Sequence, residues 1–116
     1  MKRIFVLIFL LAGLVQGAEP QGKYVIVLQA GNETNEGAAR AIHALLYAKE
    51  LMENDYAVVL IFDGAAAGWA HAFAQPEHPF HEQYAQISKS TVIMQICDYC
   101  SEEFDVQDKL SDEQKA

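Results

Sequence analysis

Basic residues are scarce in this chain of 116 residues: eight Lys and Arg stand against 16 Asp and Glu, a formal net charge of −8. That balance argues against nucleic acid as a partner, because phosphate contacts are made by clustered Lys and Arg. No Gly-x-Gly-x-x-Gly and no phosphate-binding loop occurs, so a nucleotide cofactor has no support. No apolar run reaches the roughly 20 residues that a transmembrane helix needs. Only three prolines interrupt the chain, two of them close together at Pro76 and Pro79. Cysteine is scarce too. The two present, Cys97 and Cys100, stand as Cys97-Asp98-Tyr99-Cys100.

The longest apolar run is at the amino end, where Ile4 to Val15 spans 12 residues behind the basic pair Lys2 and Arg3. Val15 and Gly17 then occupy the −3 and −1 positions of a cut before Ala18. This build predicts a cleaved signal peptide over residues 1–17 and a periplasmic or secreted protein, with no stable membrane span after cleavage. Because Lys2 and Arg3 leave with that segment, the net charge moves from −8 to about −10, a balance that ordinarily serves solubility. Export implies an oxidising compartment, where a Cys-x-x-Cys pair tends to rest as a disulfide.

Residues 18–106 read as one α/β domain, followed by a polar tail at 107–116. Lys23 to Ala30 is a continuous, β-branched apolar run ending at Gly31, the pattern of a strand buried on both faces. Thr34 or Asn35 can cap a helix that follows, and Ala38, Ala41, Ile42, Leu45, Leu46, Ala48 and Met52 draw its apolar stripe. Ala57 to Phe62 is a second buried strand, closed by Asp63-Gly64. This βαβ unit predicts parallel strands with a right-handed crossover. Ala65 to Ala74 is expected to be helical, Gln75 to His81 a loop, and Glu82 to Lys89 one or two helical turns. Thr91 to Ile96 is the third strand, and a short helix is expected over Ser101 to Val106. The expectation is a three-layer α/β/α domain with a small parallel sheet in a flavodoxin-like arrangement. A sheet this narrow leaves edges to be covered, for which self-association into a homo-oligomer is the simplest solution.

In such a sheet the carboxyl ends of the strands share one rim, where open α/β folds bind ligands. That rim would hold Gly31 and Asn32, then Asp63 and Gly64, and finally Cys97. The glycines permit close approach of a ligand to backbone, and Asp63 is placed to orient a substrate, to tune Cys97, or simply to form the turn. Two cysteines at this spacing can close a disulfide, share a metal, or pair an activated thiol with a resolving one. A helix beginning after Cys97 would favour its thiolate, while Asp98, Glu102 and Glu103 would oppose it. His71, His78 and His81 match no metal-binding spacing and are interrupted by proline, so no metal or other cofactor is expected. His43 belongs to the polar face of the first helix, and Trp69, Phe73 and Phe80 are expected to close the core or a subunit contact.

Taken together, the run from Tyr24 to Gly31, the segment Ala39 to Leu45, the run from Ala57 to Gly64 and the Cys97-Asp98-Tyr99-Cys100 end resemble the DsrE/DsrF-like family of sulfur-relay subunits. The resemblance covers roughly residues 23–106, and the order of the motifs carries it more than any one of them. It implies that Cys97 accepts sulfane sulfur as a persulfide and that Cys100 is the resolving thiol. Partners would be sulfur donor and acceptor proteins or small sulfur species. Two other readings use the same pair: a thiol–disulfide redox protein or sensor, and a non-catalytic binding or assembly subunit in which the cysteines form a structural clip.

Overall fold

A computed structural model describes residues 19–115. The expected signal peptide, residues 1–17, lies outside them. The chain is mixed α/β, as its pattern predicts, and its described residues form three parallel strands and five α-helices. Strand β1 runs Lys23–Leu28, helix α1 Asn35–Glu53 and strand β2 Ala57–Phe62. A 3₁₀ turn at Gly64–Ala66 leads into α2, Ala67–Ala74, and α3 follows at His81–Ser88. Then come β3, Ile93–Ile96, and α4, Asp98–Glu103, with α5 at Asp112–Lys115. Among the described residues no helix is long and apolar enough to cross a membrane.

The strand order is β1-β2-β3, with Val25 opposite Val59 and Val59 opposite Ile93. A flavodoxin-like order would put β1 in the centre; here β2 is central. Two right-handed crossovers that advance in the same direction set their helices on the same face of the sheet. Consistent with that, α1 packs on β1, β2 and α3, and α3 packs on α2. The described residues therefore supply the sheet and one helical layer of a three-layer α/β/α arrangement.

Alternation along the outer strands β1 and β3 follows from this one-sided cover, whereas in the central β2 Val59, between Val25 and Ile93, is buried as well. Leu28, Val58, Leu60 and Phe62 point into the helical layer and are buried. On the opposite face Val25, Val27 and Ile93 are 55%, 51% and 56% exposed. The reading of β1 as buried on both faces is corrected here. Its unbroken apolar run carries the composition of a doubly covered strand, yet no described element covers its second face. These β-branched side chains are the surface a further layer would occupy.

The first crossover is tightly built. Thr34, with extended backbone, accepts the Gly37 N–H at 3.0 Å and caps α1. The first turn of α1 comes so close to the β1 exit that a Cβ on Gly37 would run into the carbonyl oxygen of Gly31. Gly37→Ala is accordingly expected to cost about 1–3 kcal/mol, the range for overpacking a site that cannot yield. Urea unfolding checks this; a loss below about 0.5 kcal/mol, the range of innocuous surface changes, would show that the β1–α1 loop yields freely.

Beyond Val106 the chain does not behave as the detached tail its polar composition suggests. Leu110 is buried in the core, and α5 lies beside β3. Gln114 donates to the Ala70 carbonyl at 2.8 Å and to the Tyr84 hydroxyl at 2.9 Å, pinning the segment to α2 and α3. Burial pushes the Tyr84 hydroxyl above its ordinary value of 10.0; the bond from Gln114 opposes this, and the nearby Glu113 charge adds to it. The fold therefore favours neutral Tyr84. Its contribution is fully present below the unfolded tyrosine's value, about 10, and is lost as pH rises through the higher folded one. Stability is expected to fall above about pH 10, and Tyr84→Phe to flatten that fall. An alkaline denaturation profile identical in Tyr84→Phe would assign the loss to other groups.

Candidate functional site

The rim anticipated from sequence is formed where β2 and β3 end. Just beyond the strands, the Asp63 N–H donates to the Leu28 carbonyl at 2.9 Å and the Cys97 N–H to the Phe62 carbonyl at 3.0 Å. These two bonds continue the sheet ladder by one residue on each side. They fix Asp63 and Cys97 at neighbouring positions although 34 residues separate them.

After Cys97 the chain turns at once into α4, three residues earlier than the helix expected over Ser101 to Val106. Cys97 is thereby the residue that caps α4, and its Sγ accepts the Cys100 N–H at 3.2 Å. Cys100 lies one turn on, with Cα atoms 5.2 Å apart, and the two sulfurs are joined in a disulfide. Ser101, buried next to the pair, donates its hydroxyl to the Asp98 carbonyl at 2.7 Å and holds the first turn of α4 against the core. Cys97 and Cys100 are half-buried, so each sulfur is part of the surface without being fully exposed.

Asp63 belongs to the same constellation. Its Oδ1 is 3.5 Å from the Cys100 Sγ, and its Oδ2 accepts from the Gln29 amide at 2.9 Å. Although it stands at the start of the 3₁₀ turn, its carboxylate does not cap that turn. Gly64 follows with φ +57°, a left-handed conformation that turns the chain away and leaves the carboxylate facing the cysteines. Asp63, Cys97 and Cys100 bring one ligand atom each within 4.8 Å of one another. When reduced they would offer two thiolates and a carboxylate, a donor set suited to a soft cation such as Zn²⁺; in the disulfide neither sulfur is a thiolate.

The remaining rim residues sit elsewhere. Gly31 packs against the 3₁₀ turn, where an added Cβ would come within 3.0 Å of the Ala65 Cβ. It lines a cleft of about 320 Å³ with Ala65, Arg40 and Phe104. Asn32 is exposed in the loop before α1. Cys97 opens instead onto a cleft of about 340 Å³ bounded by Ile61, Gln95, Ile96, Glu113 and Lys115. Lys115, from the segment read as a tail, brings a cation to that cleft, which nothing in its sequence position announces. Gln29 also went unnoticed, its only signal being its place one residue beyond β1.

His71, His78 and His81 are engaged by backbone rather than by the cysteines, and His43 lies against the Tyr47 ring on α1. His78 Nδ1 accepts from the Phe80 N–H at 3.1 Å, and His81 Nδ1 is 3.0 Å from the Phe73 carbonyl. His71 Nδ1 is 3.2 Å from the Lys109 carbonyl. The aromatic residues close the core: Trp69 stacks on Phe73 with centroids 5.2 Å apart, and its indole N–H donates to the Ala30 carbonyl at 3.1 Å.

Comparison with known proteins gives one informative similarity. The chain is 29% identical over 69 residues to the uncharacterized protein MJ0733 of Methanocaldococcus jannaschii, a match covering 60% of this chain and 54% of that protein. The chain thus spans about half the length of the curated relative it matches. No family model matches the sequence, and no solved structure matches it.

Proposed function

We propose that this chain handles sulfane sulfur at Cys97, with Cys100 as the resolving thiol. The observation that carries the reading is the bonded Cys97–Cys100 pair at the end of β3, since resolution requires the second sulfur to reach the first without rearrangement. Uptake from a polysulfide would transfer one sulfur to the Cys97 thiolate, and the shortened polysulfide would leave as the anion. The Cys100 thiol would then attack the Cys97 Sγ, forming the disulfide and releasing the carried sulfur as hydrogen sulfide. The 340 Å³ cleft beside Cys97 gives a small sulfur donor access to the attacking atom. The choice of sulfane sulfur over other thiol chemistry rests on the resemblance of residues 23–106 to the DsrE/DsrF-like family. Export to the periplasm or beyond belongs to the same reading and rests on residues 1–17.

The experiment is to expose the reduced protein to polysulfide, alkylate it, and locate the added sulfur by peptide mass. The sulfur is expected on Cys97, and Cys100→Ser is expected to accumulate it because release is blocked. Sulfur found on Cys100 alone, or on neither, would defeat the proposal.

A second reading, thiol–disulfide exchange with other proteins, is favoured by the closed disulfide itself. It uses the same attack at Cys97 and the same resolution by Cys100, with a substrate thiol in place of the persulfide sulfur. Exchange with a disulfide substrate but no uptake from polysulfide would select it. If neither occurs and removing both cysteines only lowers stability, the pair is a structural clip.

A further inference from the structure

We infer that Asp63 is the proton acceptor for Cys100 in the resolving step, an inference that rests on the thiol reading above. A resolving thiol must lose its proton as it attacks, and a carboxylate within hydrogen-bond reach is a suitable base. The Asp63 Oδ1 is 3.5 Å from the Cys100 Sγ, the donor–acceptor reach of a thiol and a carboxylate. Its orientation is fixed from two sides: Gln29 donates to Oδ2 at 2.9 Å, and the Asp63 backbone is tied into the sheet through Leu28. The structural use for an aspartate at this position would be to cap the 3₁₀ turn, and the side chain does not do so. The two cysteines are also placed unequally. Cys97 Sγ receives the Cys100 N–H, a contact that suits an attacking thiolate, while Cys100 Sγ faces the carboxylate.

The step balances as follows. With an adduct on Cys97, the Cys100 S–H proton passes to Asp63 Oδ1 as the Cys100 Sγ attacks the Cys97 Sγ. The Cys97–Cys100 bond forms and the bond from Cys97 to the adduct sulfur breaks. The electron pair leaves on that outgoing sulfur, which then takes the proton from Asp63. In this exchange the Cys100 sulfur is oxidised from thiol to disulfide level, the outgoing sulfur is reduced to the same extent, and Cys97 Sγ stays at the disulfide level. Cys97 needs no help from Asp63 to form the adduct, so only the second half of the reaction depends on it.

The test is rapid mixing of reduced protein with an aromatic disulfide reagent whose released thiol is coloured, which reports two successive releases. The first marks attack by Cys97 and the second marks resolution by Cys100. In Asp63→Asn the first release is expected to proceed, and a circular dichroism spectrum and urea midpoint close to the native ones show that the variant is folded. The second is expected to slow by at least about tenfold at neutral pH, below the usual range of base catalysis because solvent partly substitutes. It should recover as pH is raised and solvent takes the proton, whereas displaced cysteines would leave it slow at all pH values. Gln29→Ala, which frees the carboxylate without removing it, is expected to give a smaller slowing. A second release within twofold of the native rate in Asp63→Asn would overturn the inference alone. A first release from Cys97→Ser as fast as the native one, made by Cys100 alone, would show that Cys97 is not the attacking thiol and overturn the reading beneath the inference, so the two failures are separable.

Discussion

Cys97→Ser is expected to abolish sulfur uptake altogether, while Cys100→Ser leaves uptake intact and prevents release. The asymmetry follows from position. Cys97 ends β3, opens onto the cleft and receives an N–H at its sulfur; Cys100 is one helical turn further and faces Asp63. A serine hydroxyl at position 97 has no accessible anion at neutral pH and forms no persulfide, so the loss is complete rather than graded. Isotope-labelled polysulfide followed by gel filtration measures it. Equal uptake by Cys97→Ser and the native chain would end the sulfur-carrying reading. Equal loss in both single variants would show that the cysteines act only as a bonded unit.

Phe73→Ala is expected to remove a large part of the stability of the fold, at a cost of about 3–5 kcal/mol where small domains hold about 5–15 in total. Phe73 is fully buried on α2, stacks on Trp69, meets His78 edge-on with centroids 5.0 Å apart, and lies 6.0 Å from the Tyr84 ring. It thereby joins α2, the proline-containing loop and α3, and the cavity left by its ring has no flexible neighbour to fill it. The effect reaches the candidate site because Trp69, packed on Phe73, ties α2 to the end of β1 beside Gln29. Urea unfolding followed by circular dichroism checks the size. A loss below about 1 kcal/mol would mean that the helical layer repacks, and Phe73→Leu, which retains volume, should cost clearly less than the alanine change.

What was legible in the sequence is what is local. Thr34 before a striped run marks the start of α1, and β-branched runs ending in Gly31 and in Asp63-Gly64 mark β1 and β2, because caps, stripes and strand ends are written within a few residues. The position of Cys97 at the end of β3 was legible for the same reason. The facing of Asp63 and Cys100 was not, since they are 37 residues apart and meet only through the register that sets Phe62 beside Ile96. Composition misled in two places. The apolar run of β1 implied two covered faces, whereas burial depends on which side the crossovers pass, and that is set by strand order. The charged residues after Val106 implied a loose end, whereas Leu110 and Gln114 suffice to seat it. One apolar side chain in a polar stretch is a weak signal until the pocket that receives it is known.

The most direct decision comes from the intact mass of the protein before and after a polysulfide pulse, with free thiols labelled in parallel. Sulfur carriage requires that the reduced Cys100→Ser chain, which cannot resolve, gain one or more sulfur atoms, that a reductant remove them, and that Cys97→Ser gain none. A reduced Cys100→Ser chain that keeps its mass and its free Cys97 thiol through the pulse would contradict it, leaving the native Cys97–Cys100 bond as a redox or structural link.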